Sequence, residues 1–419
     1  MKREVSTALL AAATSAALAQ GNVSPPQAQA WIDVATYSGL GMPMAMTGGG
    51  GGGGMGGLLG ALGGALGGGG AARNDFGRTQ VGGAGRWVDV TLSVRAQPQL
   101  REAQLAVPTG FLDSPLKLQS PPQSQSRPVP DSNDKTVEPE YERPKGKLLL
   151  YWGCGASVRQ GQPRVLDFAT LSPADLQKFF VARSATQRGT HAVVGRPIWP
   201  SKDDARMVPA AASLVGEYRF SGTGVPESFR FQIPPAQDLM PAIALAQKDA
   251  GGATELSWNA APTARGWFVS GMGQGSGQNE MVLWTSSEEA DTGFGLLDYQ
   301  TNPSVDRWLR EKVLLPAATT NCTVPRGIFA SGGAMLRLIG YGSELNLAHP
   351  PRPSDPKAAW EPQWALKVRV KSVTMGMLGM PSMAESQGGG TREESAAPAQ
   401  QEEKKKVNPL DVIRGVLGR

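Results

Sequence analysis

The chain has 419 residues, of which 54 are glycine and 33 proline, so the part able to pack is shorter than the length suggests. Forty-one basic residues against 36 acidic ones give a formal net charge of +5, and the basic residues are scattered along the sequence. The electrostatic footprint of a nucleic-acid binder is missing, so no nucleic-acid partner is expected.

At the N-terminus Lys2 and Arg3 precede an apolar stretch from Val5 to Ala13, and Ala17-Leu18-Ala19 has the small-x-small form that a signal peptidase accepts. Residues 1–19 are read as a signal peptide, with cleavage before Gln20 releasing an exported protein, periplasmic or associated with the outer membrane. Residues 20–85 follow as a glycine- and methionine-rich arm. No charge occurs from Val34 to Ala72, yet 18 of those 39 positions are glycine. Each glycine costs about 1 kcal/mol of helix relative to alanine, so the stretch reads as a low-complexity tether and not as a membrane span.

From residue 86 the pattern changes. Val88, Val90 and Leu92 alternate as in a half-buried strand. The run PKGKLLLYWGCG, Pro144 to Gly155, returns as PTARGWFVSGMG, Pro262 to Gly273. Flanking segments correspond too: Val107 to Leu118 with Ile233 to Leu245, and Arg164 to Phe168 with Met281 to Trp284. Such an echo predicts duplication. The expected fold is mainly β with minor α: two duplicated antiparallel β-sandwich-like units, 86–184 and 214–378, flanked by disordered segments. The first unit carries a Pro/Ser-rich loop at 120–140. In each, the continuous apolar run is the core strand of a hairpin with a long, mobile, glycine-rich tip. One short helix then covers each sheet, started by Ser172-Pro173 or Asn302-Pro303. Leu176, Phe179 and Phe180 form the apolar stripe of one, Val305, Trp308 and Leu309 that of the other.

Two closing strands are expected at Met335 to Tyr341 and Trp364 to Val373. The second alternates Leu366, Val368 and Val370 with Lys367, Arg369 and Lys371, which predicts an apolar face inward and a basic face outward. Residues 379–406 read as a disordered linker and 407–419 as an amphipathic helix. Asn408 caps it, Pro409 starts it, and Leu410, Ile413 and Leu417 line one side. A tethered helix of this kind docks on an envelope protein or a membrane surface.

The stretch ELSWNAAPTARGWFVSG, Glu255 to Gly271, resembles the second and third strands of a fibronectin type III or related immunoglobulin-like module, through Leu256, Trp258, Pro262, Ala264 and Trp267. The resemblance implies an antiparallel sandwich used for binding rather than catalysis.

Candidate chemistry is sparse. Gly273-Gln274-Gly275-Ser276-Gly277 has its serine one place away from a nucleophile elbow, and the SxxK strings at Ser114 and Ser354 lack a KTG partner. Glu288, Glu289 and Asp291 form an acidic cluster, read as a solvated loop in preference to a hard-cation site. Met42, Met44 and Met46 in MPMAM, with Met375, Met377, Met380 and Met383 in MGMLGMPSM, supply thioethers, soft ligands that select Cu(I). Cys154 and Cys322 form either one disulfide or two buried thiols, and Met272 holds the place of Cys154 in the second copy. Trp152, Trp267 and Trp284 would stack on a sugar if exposed. The functional expectation is an exported, non-enzymatic envelope protein that binds or scaffolds and needs no cofactor. The alternatives are copper handling through the methionines and carbohydrate binding through exposed aromatics.

Overall fold

The computed structural model describes residues 23–39, 73–123, 146–180, 183, 189–277, 279–330, 333–355 and 357–379. All belong to one compact unit, Met1–Ser382. The chain opens with strand β1 (Ala28–Gly39), helix α1 (Arg78–Val81) and β2 (Gly85–Val94). Next come β3 (Glu102–Ala106), β4 (Leu116–Gln119), the hairpin β5 (Lys147–Trp152) and β6 (Arg164–Asp167), and α2 (Pro173–Phe179). β7 (Ile198–Trp199), β8 (Gly216–Ser221) and β9 (Arg230–Ile233) precede β10 (Leu245–Ala250) and β11 (Ala253–Trp258). A second hairpin, β12 (Gly266–Gln274) and β13 (Glu280–Thr285), leads into α3 (Asn302–Arg310). β14 (Leu315–Pro316), β15 (Asn321–Val324), β16 (Ala334–Tyr341), β17 (Leu345–His349) and β18 (Trp364–Met377) complete the order.

The described residues are mainly β, as composition and alternation require. They form one fifteen-stranded sheet in the order β6-β5-β13-β12-β16-β18-β1-β2-β7-β4-β3-β8-β9, with β14 added on β12 and β17 on β18; β10, β11 and β15 make a second, three-stranded sheet. Strands expected in separate sandwich units share the large sheet. β5 pairs in parallel with β13 from Lys147↔Glu280 to Trp152↔Thr285, whereas β3 and β4 lie toward the opposite end of the same sheet. What the two stretches have in common is local order, a hairpin followed by a proline-started helix.

The helix starts show why. At α2 the Ser172 hydroxyl accepts from the Asp175 amide at 3.3 Å while Asp175 accepts from the Ser172 amide at 3.1 Å, a reciprocal capping box. The cap of α3 is Thr301, one residue before the expected Asn302; its hydroxyl accepts from the Ser304 amide at 3.3 Å. Asn302 instead clips the Glu344 backbone, donating to its carbonyl and accepting from its amide, both at 2.8 Å. Val305 and Trp308 of α3 are buried as the stripe predicts, but on α2 only Phe179 is, Leu176 being 38% exposed.

The largest departure is β1. It lies within the stretch read as an arm, yet it pairs in parallel with β18 along its whole length and antiparallel with β2. Ala28, Ala30, Ile32 and Val34 meet Val88, Val90 and Leu92 of β2 and Leu366, Val368 and Val370 of β18 in the main core. That core extends to the small sheet, where Trp258 of β11 lies 5.9 Å from Trp267 of β12. The sheet also curls, so that Phe229 beside β9 stacks on Trp364 of β18 at 4.8 Å.

The tip of the β5–β6 hairpin, expected to be mobile, is pinned by contacts distant in sequence. Cys154 is disulfide-bonded to Cys322 of β15, the Gly155 amide donates to the Thr323 carbonyl at 2.9 Å, and Arg159 pairs with Glu288 at 2.6 Å.

Candidate functional site

On the face of β2, β1 and β18 opposite the main core, each strand carries charge at its centre. Register sets Asp89 of β2 and Arg369 of β18 on either side of Asp33 of β1. Asp33, Asp89, Arg369 and Lys371 are all 3% exposed or less. The basic face of β18 was expected in solvent; it is buried instead, because a second layer covers it. The segment holding Gly189 and Thr190, the segment around Tyr299 and helix α1 make up that layer.

Ion pairing satisfies the layer. Arg369 donates to both oxygens of Asp33 at 2.6 Å, the bidentate geometry that suits a planar guanidinium. Thr190 adds two donors to the same carboxylate, its amide at 3.0 Å and its hydroxyl at 2.7 Å. A Cβ at Gly189 would sit 1.7 Å from Arg369 Nη2, so only glycine lets this backbone approach the pair. Lys371 reaches Asp298 at 2.6 Å. Burial disfavours the charge on Asp298, but the ammonium of Lys371, the Tyr299 amide and Arg369 together outweigh it and hold the carboxyl below the usual range. Tyr299 ties the cations together, its ring 4.3 Å from Arg369 Cζ and 4.1 Å from Lys371 Nζ, its hydroxyl donating to the Val34 carbonyl at 2.9 Å. Lys367, nearer the surface, pairs with Glu344 at 2.8 Å.

Asp89 has no cation among these partners. Gly77 and Thr79 of the α1 turn donate to it, but burial, helped by the charge of Asp33, pushes its carboxyl up to about 7. Protonated Asp89 leaves Asp33 and Asp298 balanced against Arg369 and Lys371. A carboxyl raised on folding contributes most stability below its unfolded value near 4 and loses it as pH rises toward about 7. The loss from this group is on the order of 4 kcal/mol. Chemical denaturation of the protein and of Asp89→Asn at pH 5 and pH 8 is expected to show the variant less pH-sensitive across that window, with its relative stability improving at pH 8. Parallel curves for both proteins would contradict the assignment.

Two acids and two bases held this deeply tie β1, β2 and β18 into one register. Sequence reasoning missed this tie, although Asp33 in WIDVAT and Asp89 in WVDVTL each interrupt an apolar strand with an acid, a usable signal.

The acidic cluster is dispersed into ion pairs, Glu288 with Arg159 and Asp291 with Arg183 at 2.5 Å. Cys154 and Cys322 are joined. Trp267 and Trp284 are 0% exposed and therefore unable to stack on a sugar, while Trp152 is half-buried with Arg164 over its ring. Met375 is buried and Met377 half-buried at the end of β18. Met42, Met44, Met46, Met380 and Met383 lie outside the described residues, as do Leu410, Ile413 and Leu417 and the proposed signal peptide. No protein-family model matches the chain, and no curated protein does so significantly.

Proposed function

We propose that the chain is an exported envelope protein that binds or scaffolds and catalyses no reaction. The observation carrying this reading is the parallel pairing of β1 with β18, in register from Ala28↔Trp364 to Gly39↔Met375. Adjacent strands lie about 5 Å apart, so residues 40–72 and 380–419 continue from neighbouring strands at one end of the sheet. A sheet locked by a buried ion pair, with β1 and β18 ending side by side, suits the capture of a partner. The second segment brings Leu410, Ile413 and Leu417, proposed as the contact with an envelope protein or membrane surface. A disulfide is at home in an oxidising compartment, which supports export. The echo between the two hairpin-and-helix stretches is proposed as the trace of duplication, and the resemblance at Glu255 to Gly271 agrees with a binding role.

Fractionation of cells expressing the protein, with mass spectrometry of its N-terminus, tests this. The expected result is a mature chain beginning at Gln20 in the envelope fraction, released by Leu410→Asp with Leu417→Asp without a change in melting temperature. A cytoplasmic chain still beginning at Met1, or a double variant that melts earlier and keeps its location, would contradict it.

A further inference from the structure

Strand register gathers methionine at the end of the sheet where β1 and β18 finish. Met272 of β12 is paired with Met335 of β16, and Met335 with Met377 of β18. Direct cross-strand partners share a face with Cβ atoms about 5 Å apart, so three thioethers stand in one row with Met335 at its centre, next to each of the other two. All three are half-buried. Met375 lies two residues before Met377 on the same face. Met281 is diagonal to Met272, because Met272 pairs with Leu283 and Gln274 with Met281. Five of the chain's 14 methionines therefore share one face at one end of four adjacent strands. Met42, Met44 and Met46 follow β1 in sequence, and Met380 and Met383 follow β18.

Use as apolar filler does not explain this placement. The main core is built chiefly from Val, Leu, Ile, Ala, Phe and Trp, and Met240 is its one buried methionine among the described residues. At the row, Met272 packs on the cluster of Leu148, Leu150, Leu166, Phe179 and Leu283, which gives an apolar wall. All three row residues keep partial solvent exposure, which gives access. Thioethers are neutral, soft donors that keep their ligand character without losing a proton, and both cysteines are already spent in the disulfide. The next row inward holds Arg337, paired with Met375, with its guanidinium donating to the Leu297 carbonyl at 2.7 Å. A cation nearby penalises a divalent ion more than a monovalent one.

We propose that Met272, Met335 and Met377 form a three-thioether site for a soft monovalent metal ion, Cu(I). This deepens the binding role proposed above by naming a ligand class. The full chain is titrated anaerobically with Cu(I) against a competing chelator, beside Met272→Leu/Met335→Leu/Met377→Leu and beside a variant with Met42, Met44, Met46, Met380 and Met383 all changed to leucine. The row variant is expected to bind at least 100-fold more weakly, and the tail variant within a few-fold of the parent. Ag(I) added to the parent labelled at its methionine methyl groups should shift the resonances of Met272, Met335 and Met377 first, a readout that needs no variant. A parent that cannot compete for Cu(I), a row variant that binds as the parent does, or Ag(I) shifts confined to the tail methionines would each overturn the site. None of these results alters where the chain is exported or what Leu410 and Leu417 contact, so the two proposals fail separately.

Discussion

Arg369→Met is expected to lower stability by about 3–5 kcal/mol, because it leaves Asp33 charged, 0% exposed and without its bidentate partner. In a protein of this size that corresponds to a fall of roughly 5–8 °C in melting temperature. The isolated loss does not measure the worth of the pair, since most of it is the cost of a stranded buried charge. Replacing both partners, Asp33→Leu with Arg369→Met, removes that cost, and the double variant is expected to be more stable than Arg369→Met alone. Thermal unfolding of the parent, both single variants and the double variant closes the cycle. Strictly additive losses would mean that the two side chains do not interact as the 2.6 Å contacts require.

Loss of the Cys154–Cys322 bond is the second large effect. The bond closes a sequence separation of 168 residues, for which the chain-entropy treatment gives about 5 kcal/mol of stabilisation, exerted through the unfolded state. It also joins the β5–β6 tip at one end of the large sheet to β15 of the small one. Cys154→Ala with Cys322→Ala, or reduction of the parent, should therefore lower the unfolding free energy by a similar amount, read as a fall in the denaturation midpoint. Opening should start at β5 and β6, the outermost strands at their end of the large sheet. An unchanged midpoint after verified reduction would show that the link restrains nothing.

What was legible in the sequence was local. Alternation at Val88, Val90 and Leu92, the hairpins around LLLY and WFV, and the Ser172-Pro173 helix start all report short-range chemistry, and each corresponds to an element of the fold. Hidden were the contacts made at long range. Period two on β18 correctly divides Leu366, Val368 and Val370 from Lys367, Arg369 and Lys371, but alternation says nothing about what covers the second face. The cover comes from Thr190 and Tyr299, far away in sequence. β1 was lost for a compositional reason. Its second half, from Val34, runs without charge into the glycine tract, and the window took the character of the tract. Its first half, with Trp31, Ile32 and Asp33, is an ordinary strand sequence. The methionine row was equally hidden, since Met272, Met335 and Met377 meet only through the register of three strands.

β1 and β18 lie side by side in the middle of the large sheet and finish at the same end of it. Hydrogen–deuterium exchange resolved to peptides tests this placement most directly. Residues 28–39 and 364–377 are expected among the slowest-exchanging segments, released together only on global unfolding, and both accelerated by Arg369→Met. Exchange of residues 28–39 within seconds, while 364–377 stays protected, would return β1 to the glycine-rich arm and contradict the account.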